Sequence, residues 1–218
     1  MSPLSERIQE YLPLLLTGLW RTVAVSLLAL FLATALGLLW AMMRTSRNVW
    51  LERPARYAVE FLRGIPILVV LFYIYFVMPE MGIDLTAFQA GIIGLGLIYS
   101  CYIGETFRGG IEAVDRGQVE AAKSIGMRHG KMMRRIILPQ AVRISLPPYG
   151  NNMVMLLKDS SQVSVISVAE LTMQGKMLAS STFDNMTVFT MVAALYLCLT
   201  IPLNIVMRRV ELKMGRSR

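Results

Sequence analysis

The chain is poor in the residues that build catalytic and metal centres. It has one histidine, His129, and two cysteines, Cys101 and Cys198, among 218 residues. Neither cysteine sits in a C-x-x-C pair, which argues against a redox or zinc site. A single histidine without a cysteine or carboxylate cluster beside it is a poor metal site. Both cysteines fall inside apolar runs, where free cysteine acts as a small hydrophobe, and a structural disulfide is disfavoured on the same ground. A membrane-embedded enzyme would need a convergent nucleophile, base or metal set, and none stands out. A phosphate loop is missing too. The stretch from Gly126 to Met132 has three residues between its glycines and a methionine after Lys131, where four residues and a Ser or Thr are needed. No catalytic residue and no metal ligand is assigned.

Acidic residues are also scarce. Asp and Glu number 14 against 22 Lys and Arg, giving a formal net charge of +8. In a soluble protein this would raise the question of nucleic acid. Here 55% of the residues are hydrophobic and the mean hydropathy is +0.54, above the roughly 45–50% apolar content of soluble domains. The basic residues cluster between and after the apolar runs, as membrane topology requires. No nucleic-acid partner is expected. The 16 methionines are scattered and read as packing.

Five membrane segments can be placed: residues 23–43, 57–78, 86–107, 148–171 and 186–207. The first carries no charge and suits one crossing of a bilayer core that needs about 20 apolar residues. It is too long for a signal h-region, and Glu6 and Glu10 precede it rather than a basic region, so it reads as a retained membrane helix. Residues 11–20, broken by Pro13 and Gly18, read as an interfacial lead-in. Gly64 and Pro66 in the second segment predict a kink. Gly91, Gly94 and Gly96 in the third allow close approach by another helix. The fourth is interrupted by Lys158-Asp159-Ser160-Ser161-Gln162.

The loops set an orientation. Arg44, Arg47, Arg53 and Arg56 follow the first segment. A long connection, about 108–143, holds eight basic residues, and the tail holds Arg208, Arg209, Lys213, Arg216 and Arg218. The other two connections hold Glu80 and Asp84, and Lys176 and Asp184. Lys and Arg mark the cytoplasmic side, so five crossings place the N-terminus outside and the C-terminus inside. There is no internal repeat of the kind often found in secondary transporters.

A connection as long as 108–143 calls for a purpose. Glu120-Ala121-Ala122-Lys123 are helix formers, Gly126 reads as a stop, and Lys131 to Ile137 as a second helix that Pro139 ends. The residues alone leave two readings of this hairpin: a solvated loop, or a knob on which a partner docks. Lys158 and Asp159 are costly inside a membrane. They are either a structural pair that breaks the helix or, with Ser160, Ser161 and Gln162, the lining of a solute path. Glu105 and Arg108 lie one turn apart and can form a local salt bridge or a gate contact. Arg63 snorkels to the inner interface or shares such a role. Asn151 and Asn152 satisfy helix ends.

The text Glu120-Ala121-Ala122, Gly126, then Ile136-Ile137-Leu138-Pro139 resembles the cytoplasmic loop signature of permease subunits of bacterial ATP-driven importers. Phe61-Leu62-Arg63-Gly64-Ile65-Pro66, Tyr102-Ile103-Gly104-Glu105-Thr106-Phe107-Arg108-Gly109-Gly110 and Leu157-Lys158-Asp159-Ser160-Ser161 are similar to the polar amino acid branch of that family, in order along nearly the whole chain. Family members more often carry Thr at 160 and Leu at 162, and Gln162 adds a polar group that bears on substrate choice. The resemblance implies an all-α polytopic membrane protein of about five transmembrane helices. It would be a single permease domain, 1–218, with a cytoplasmic helical coupling loop at about 108–143. Glu120, Ala121, Ala122, Gly126, Ile136, Leu138 and Pro139 would couple it to a separate ATPase, which binds ATP and Mg while this chain binds no cofactor. Lys158, Asp159, Ser160, Ser161, Gln162 and Glu105 would line the substrate path. The implied partners are the ATPase subunits, a second permease, identical or not, an extracytoplasmic amino-acid-binding protein and membrane lipid. The implied location is the bacterial inner membrane. An ion-coupled secondary transporter is the rival, and it would not need the Glu120 to Pro139 pattern.

Overall fold

The computed structural model describes residues 4–215, so Arg216 and Arg218 of the basic tail lie outside the described residues. The chain is all-α, with no strand among the described residues. The helices are α1 (Leu4–Arg44), α2 (Val49–Arg63), α3 (Ile67–Phe72), α4 (Ala87–Glu112), α5 (Arg116–Ser124), α6 (His129–Met132), α7 (Leu138–Asp159), α8 (Leu171–Thr182) and α9 (Asn185–Gly215). Leu4–Arg44, Ala87–Glu112 and Asn185–Lys213 are each long and apolar enough to cross a membrane. Val49–Arg63 with Ile67–Met81 joins them if the bent pair counts as one broken span. The fifth long element, α7, is too polar to qualify by composition, yet it packs along α4.

The bundle is ordered by size rather than polarity. On α1 the inward residues are mostly small: Gly18, Thr22, Ser26, Ala29, Ala33, Gly37 and Ala41. The outward ones are large and apolar, among them Trp20, Leu27, Phe31, Leu38 and Met42. Lipid tails solvate large apolar side chains as well as a core does, so helices in a bilayer associate through close backbone approach instead. α1 and α4 make the most extensive helix–helix contact of the fold. There a Cβ on Gly104 would sit 2.9 Å from the Trp40 Cβ and 3.2 Å from the Gly37 carbonyl. The Trp40 indole N–H donates to Ser100 across the same seam at 3.0 Å.

Several segment boundaries differ from those expected. Residues 11–20 are not a separate lead-in; α1 runs unbroken through Pro13. Gly18 is an approach point beneath α8, where a Cβ would lie 2.9 Å from Leu171 Cα, and so does not break the helix. The 41 residues of α1 span about 60 Å, twice the ~30 Å apolar core. The second segment is two pieces at 99°, because Pro66 forces Ile65 out of the helical region and itself opens α3. The interruption expected within residues 148–171 falls after Asp159, but the helix before it does not start at Pro148. Helical backbone starts at His129 and runs to Asp159, with Pro147, Pro148, Asn151 and Asn152 inside α7 rather than at an end. A 3-10 turn over Ser160–Ile166 and then α8 follow. The connection expected over 108–143 is accordingly shorter, since α4 reaches Glu112.

Pro139 does not end a helix. It sits in the first turn of α7, directly after a π turn over Met133–Ile137, in which Leu138 N–H reaches back to the Met133 carbonyl. Proline has no N–H for the carbonyl four residues earlier and its ring crowds it; a widened turn relieves both. Tyr73–Val77 repeats the device ahead of Pro79, with Met78 N–H on the Tyr73 carbonyl.

At the end opposite the basic loops, Arg7 donates to Asp184 at 2.6 Å and to Thr187 at 3.2 Å, joining the starts of α1 and α9. Phe183 beside it is left-handed, φ 58°. Desolvation pushes the Asp184 carboxyl up, but the hydrogen bonds from Arg7 and Thr187 outweigh it and hold the group below its ordinary value.

Two outcomes follow from these contacts. Gly104→Val should force α1 off α4 and destabilise the detergent-solubilised protein by about 1–3 kcal/mol, whereas Gly109→Ala, with nothing within 4 Å of the new Cβ, should leave thermal unfolding unchanged or slightly improved. Because its folded pKa is depressed, Asp184 contributes stability above the ordinary carboxylate range that is lost as pH falls through the folded value. Amide protection factors at the α8–α9 junction, corrected for the intrinsic exchange rate at each pH, should therefore fall below about pH 4, and Asp184→Asn should remove that fall.

Candidate functional site

Two groups of residues stand out, one at each level of the fold. The first is the knob made by α5 and α6. Asp115 caps α5 by accepting from Gln118 N–H at 3.1 Å. The helix stops in a Schellman turn: Gly126 N–H reaches the Lys123 carbonyl at 2.9 Å and Met127 N–H the Ala122 carbonyl at 3.0 Å. Gly126 supplies the left-handed residue this turn needs, φ 71°. Beneath α5, Ala122 packs with Val114, Met132, Ile137 and Ala141 in a small core of its own. The Gln140 side-chain amide donates to Gln118 at 2.6 Å and pins α5 to α7.

The signature residues therefore divide. Glu120, Ala121 and Gly126 are exposed on the outer surface of the knob, while Ala122 is buried and Ile136 is half-buried in its core. Leu138 points to a cavity between α1 and α7, and Pro139 shapes the π turn. The most exposed apolar side chain here is Ile125, at 78%. The sequence places Ile125 within the family-like stretch but assigns it no role of its own.

The second group lies along one stripe of α4. The Tyr99 hydroxyl donates to Asp159 at 2.7 Å. The Arg63 guanidinium lies over the Tyr102 ring, 5.2 Å from its centroid, and the two tyrosine rings are 5.9 Å apart. Asn152 donates to the Thr106 hydroxyl at 3.0 Å. A cation, two aromatic rings and a carboxylate thus follow one another across the bundle, from exposed Arg63 and Tyr102 to buried Tyr99 and half-buried Asp159. Lys158 is exposed, and it makes no ion pair with Asp159 among the described residues. Ser160 is buried and donates to the Leu157 carbonyl at 2.7 Å, closing α7. Ser161 and Gln162 are half-buried in the 3-10 turn that follows. Glu105, one turn further along α4, is held between Arg44 of α1 and Arg108. The local salt bridge is there, with a second arginine from another helix. Tyr99 and Tyr102 were not singled out from sequence. The available signal was a pair of phenols three residues apart in an apolar, glycine-rich helix, each needing a polar partner.

One buried carboxylate was missed altogether. Glu170 is 0% exposed and caps α8, accepting from Thr172 N–H at 2.9 Å and Met173 N–H at 2.8 Å. The Tyr196 hydroxyl donates to it at 3.0 Å and Thr22 at 3.2 Å. It ties α1, α8 and α9 together and is fully satisfied. No group of three or more His, Cys, Asp or Glu side chains among the described residues converges on a metal position. Cys101 and Cys198 are both free.

Known proteins resemble this chain in sequence and in fold. Residues 33–216 match the family described as binding-protein-dependent transport system inner membrane component. A Sinorhizobium fredii protein named a probable amino-acid ABC transporter permease is 39% identical over 94% of this chain and 89% of its own. The glutamine transport system permease of Escherichia coli K12 is 35% identical over 93% of this chain and 94% of its own. A crystal structure titled as an amino acid ABC transporter with histidines superposes with a TM-score of 0.92 at 35% identity, over 98% of this chain and 99% of that one. With its crossing helices, its loop signature and these matches taken together, the chain belongs to the multi-pass inner-membrane components of binding-protein-dependent transport systems.

Proposed function

We propose that residues 1–218 form one permease domain that imports a polar or charged amino acid into the bacterial cytoplasm, driven by a separate ATPase. The observation that carries this reading is the α5 knob at the basic end of the bundle, folded on its own small core and presenting Glu120, Ala121, Ile125 and Gly126 outward. A rigid protrusion with an exposed isoleucine at its tip suits a cleft in a partner. ATP and Mg belong to that partner, and this chain performs no hydrolysis. The basic loops gather at one end, which is the cytoplasmic end under the positive-inside bias; the N-terminus is then outside and the C-terminus inside. A second permease, identical or a sister, and an extracytoplasmic amino-acid-binding protein complete the importer.

In the membrane, the α4 stripe suits a zwitterion. Asp159 offers a negative charge, Arg63 a positive one, and Lys158, Ser161 and Gln162 add donors and acceptors where α7 ends. Pulling the coupling loops together switches the bundle between two states, and each ligand acts only through its differential affinity for them.

The deciding experiment is ATP-dependent uptake of labelled amino acids in liposomes containing the permease, its ATPase and its binding protein. Uptake driven by an ion gradient without the ATPase would refute the reading. Gly126→Val, a β-branched residue in a left-handed position, should cut uptake at least tenfold, on the order of 1.4 kcal/mol or more of lost coupling, while Gly126→Asn should retain most of it. Asp159→Asn keeps the hydrogen bond from Tyr99 and removes the charge. It should raise the apparent KM for uptake by about tenfold or more with ATPase activity preserved; an unchanged KM would remove Asp159 from the path.

A further inference from the structure

A cavity of about 720 Å³ opens between the basic-end halves of α1, α4 and α7. Its walls are Leu38 and Met42 of α1, Phe107 and Ile111 of α4, and Val142 and Leu146 of α7. Met42 and Val142 are exposed, so the slot is reached from the flank of the bundle. Its deep end is sealed: Tyr149 donates to Thr34 Oγ1 at 2.9 Å, whose own proton goes to the Leu30 carbonyl at 2.7 Å. No polar group there waits for a partner. Ser145 on the α7 wall is likewise spoken for, donating to the Thr106 carbonyl at 3.2 Å, and Thr45, Ser46 and His129 line the mouth.

From Leu138 to Tyr149 the slot follows α7 for about 16 Å at 1.5 Å per residue, close to half of a ~30 Å bilayer core. Its mean cross-section is therefore well below that of a helix ~10 Å across. The unpaired charges next in sequence to Ser46 and His129 at the mouth are basic, while the exposed Glu60 of α2 acts on Arg44. Glu105 is already held by Arg44 and Arg108, Glu112 by Arg108, and Glu52 by Arg56. Arg47, Arg128 and Lys131 are exposed and make no ion pair among the described residues.

We infer that this slot is a binding site for an anionic phospholipid of the cytoplasmic leaflet. An acyl chain fills the apolar depth, and Arg47, Arg128 and Lys131 meet the phosphate headgroup. The inference rests on the orientation given above but not on the substrate. Because His129 and Met133 line the slot on the way from the knob to α7, the lipid sets the spacing between α1 and the coupling loop.

The test is native mass spectrometry of the permease assembled with its ATPase, titrated with phosphatidylglycerol or phosphatidylcholine. Phosphatidylglycerol should be retained about tenfold more tightly. Arg47→Gln combined with Lys131→Gln should remove that preference. Val142→Trp, and independently Met42→Trp from the facing wall, should lower retention of both lipids about tenfold in complexes that still assemble. Equal retention of the two headgroups by the unaltered complex, or retention untouched by either tryptophan, overturns the inference. So does a disulfide between two copies of a permease carrying Val142→Cys together with Cys198→Ser, since that places a protein helix in the slot.

Discussion

The bundle is organised around the approach of α1 to α4. In a bilayer there is no water to drive apolar surfaces together, so two helices hold each other through backbone proximity and the few hydrogen bonds made possible by it. Gly37, Gly104 and the alanines of α1 bring the backbones close, and Trp40 to Ser100 adds a directional contact. α4 thereby becomes a fixed post. α3 rests on it through Leu71 against Gly94, α7 lies along its other flank, and the tyrosine stripe is displayed on the surface left between them. A loosened α1 would shift Arg44 away from Glu105 and disturb the site and the loop together.

The second constraint is that backbone groups freed by a helix break need partners when water is scarce. Each break in this chain has its own remedy. Gly64 N–H reaches the carbonyls of Glu60 and Phe61, the 3-10 turn after Asp159 is opened by the Ser160 hydroxyl on Leu157, and Glu170 collects the first amides of α8. Glu170 is a carboxyl group buried among apolar helices, and four donors make it tolerable. That balance differs from the one at Asp159, which has one donor from the protein and neighbours open to a visitor.

Sequence revealed the class of fold and the signature loop well, because both rest on local rules: long uncharged runs, a glycine stop, basic residues between crossings. It revealed the interior poorly. Pro139 reads as a terminator by local rules, and only the π turn ahead of it lets the helix continue. Pro147 and Pro148 look like a boundary and lie mid-helix. Lys158 and Asp159 suggest a mutual pair, whereas Asp159 turns to Tyr99, 60 residues earlier. Contacts of that separation leave no periodic trace. The same holds for Glu105, whose neighbour in sequence, Arg108, was legible and whose partner on α1, Arg44, was not.

The π turn at Met133–Ile137 has a consequence for how force crosses the membrane boundary. A π turn holds one residue more than the α turn it replaces, so it advances the helix phase by about 100°, the angle of one residue. The faces that α6 presents to the knob and that α7 presents to the bundle are offset by that angle within one continuous rod. A torque applied at the knob is thus delivered to a different side of α7 than a plain helix would deliver it to, and removal of any single residue from this turn would rotate the handle against the blade while leaving both of them folded.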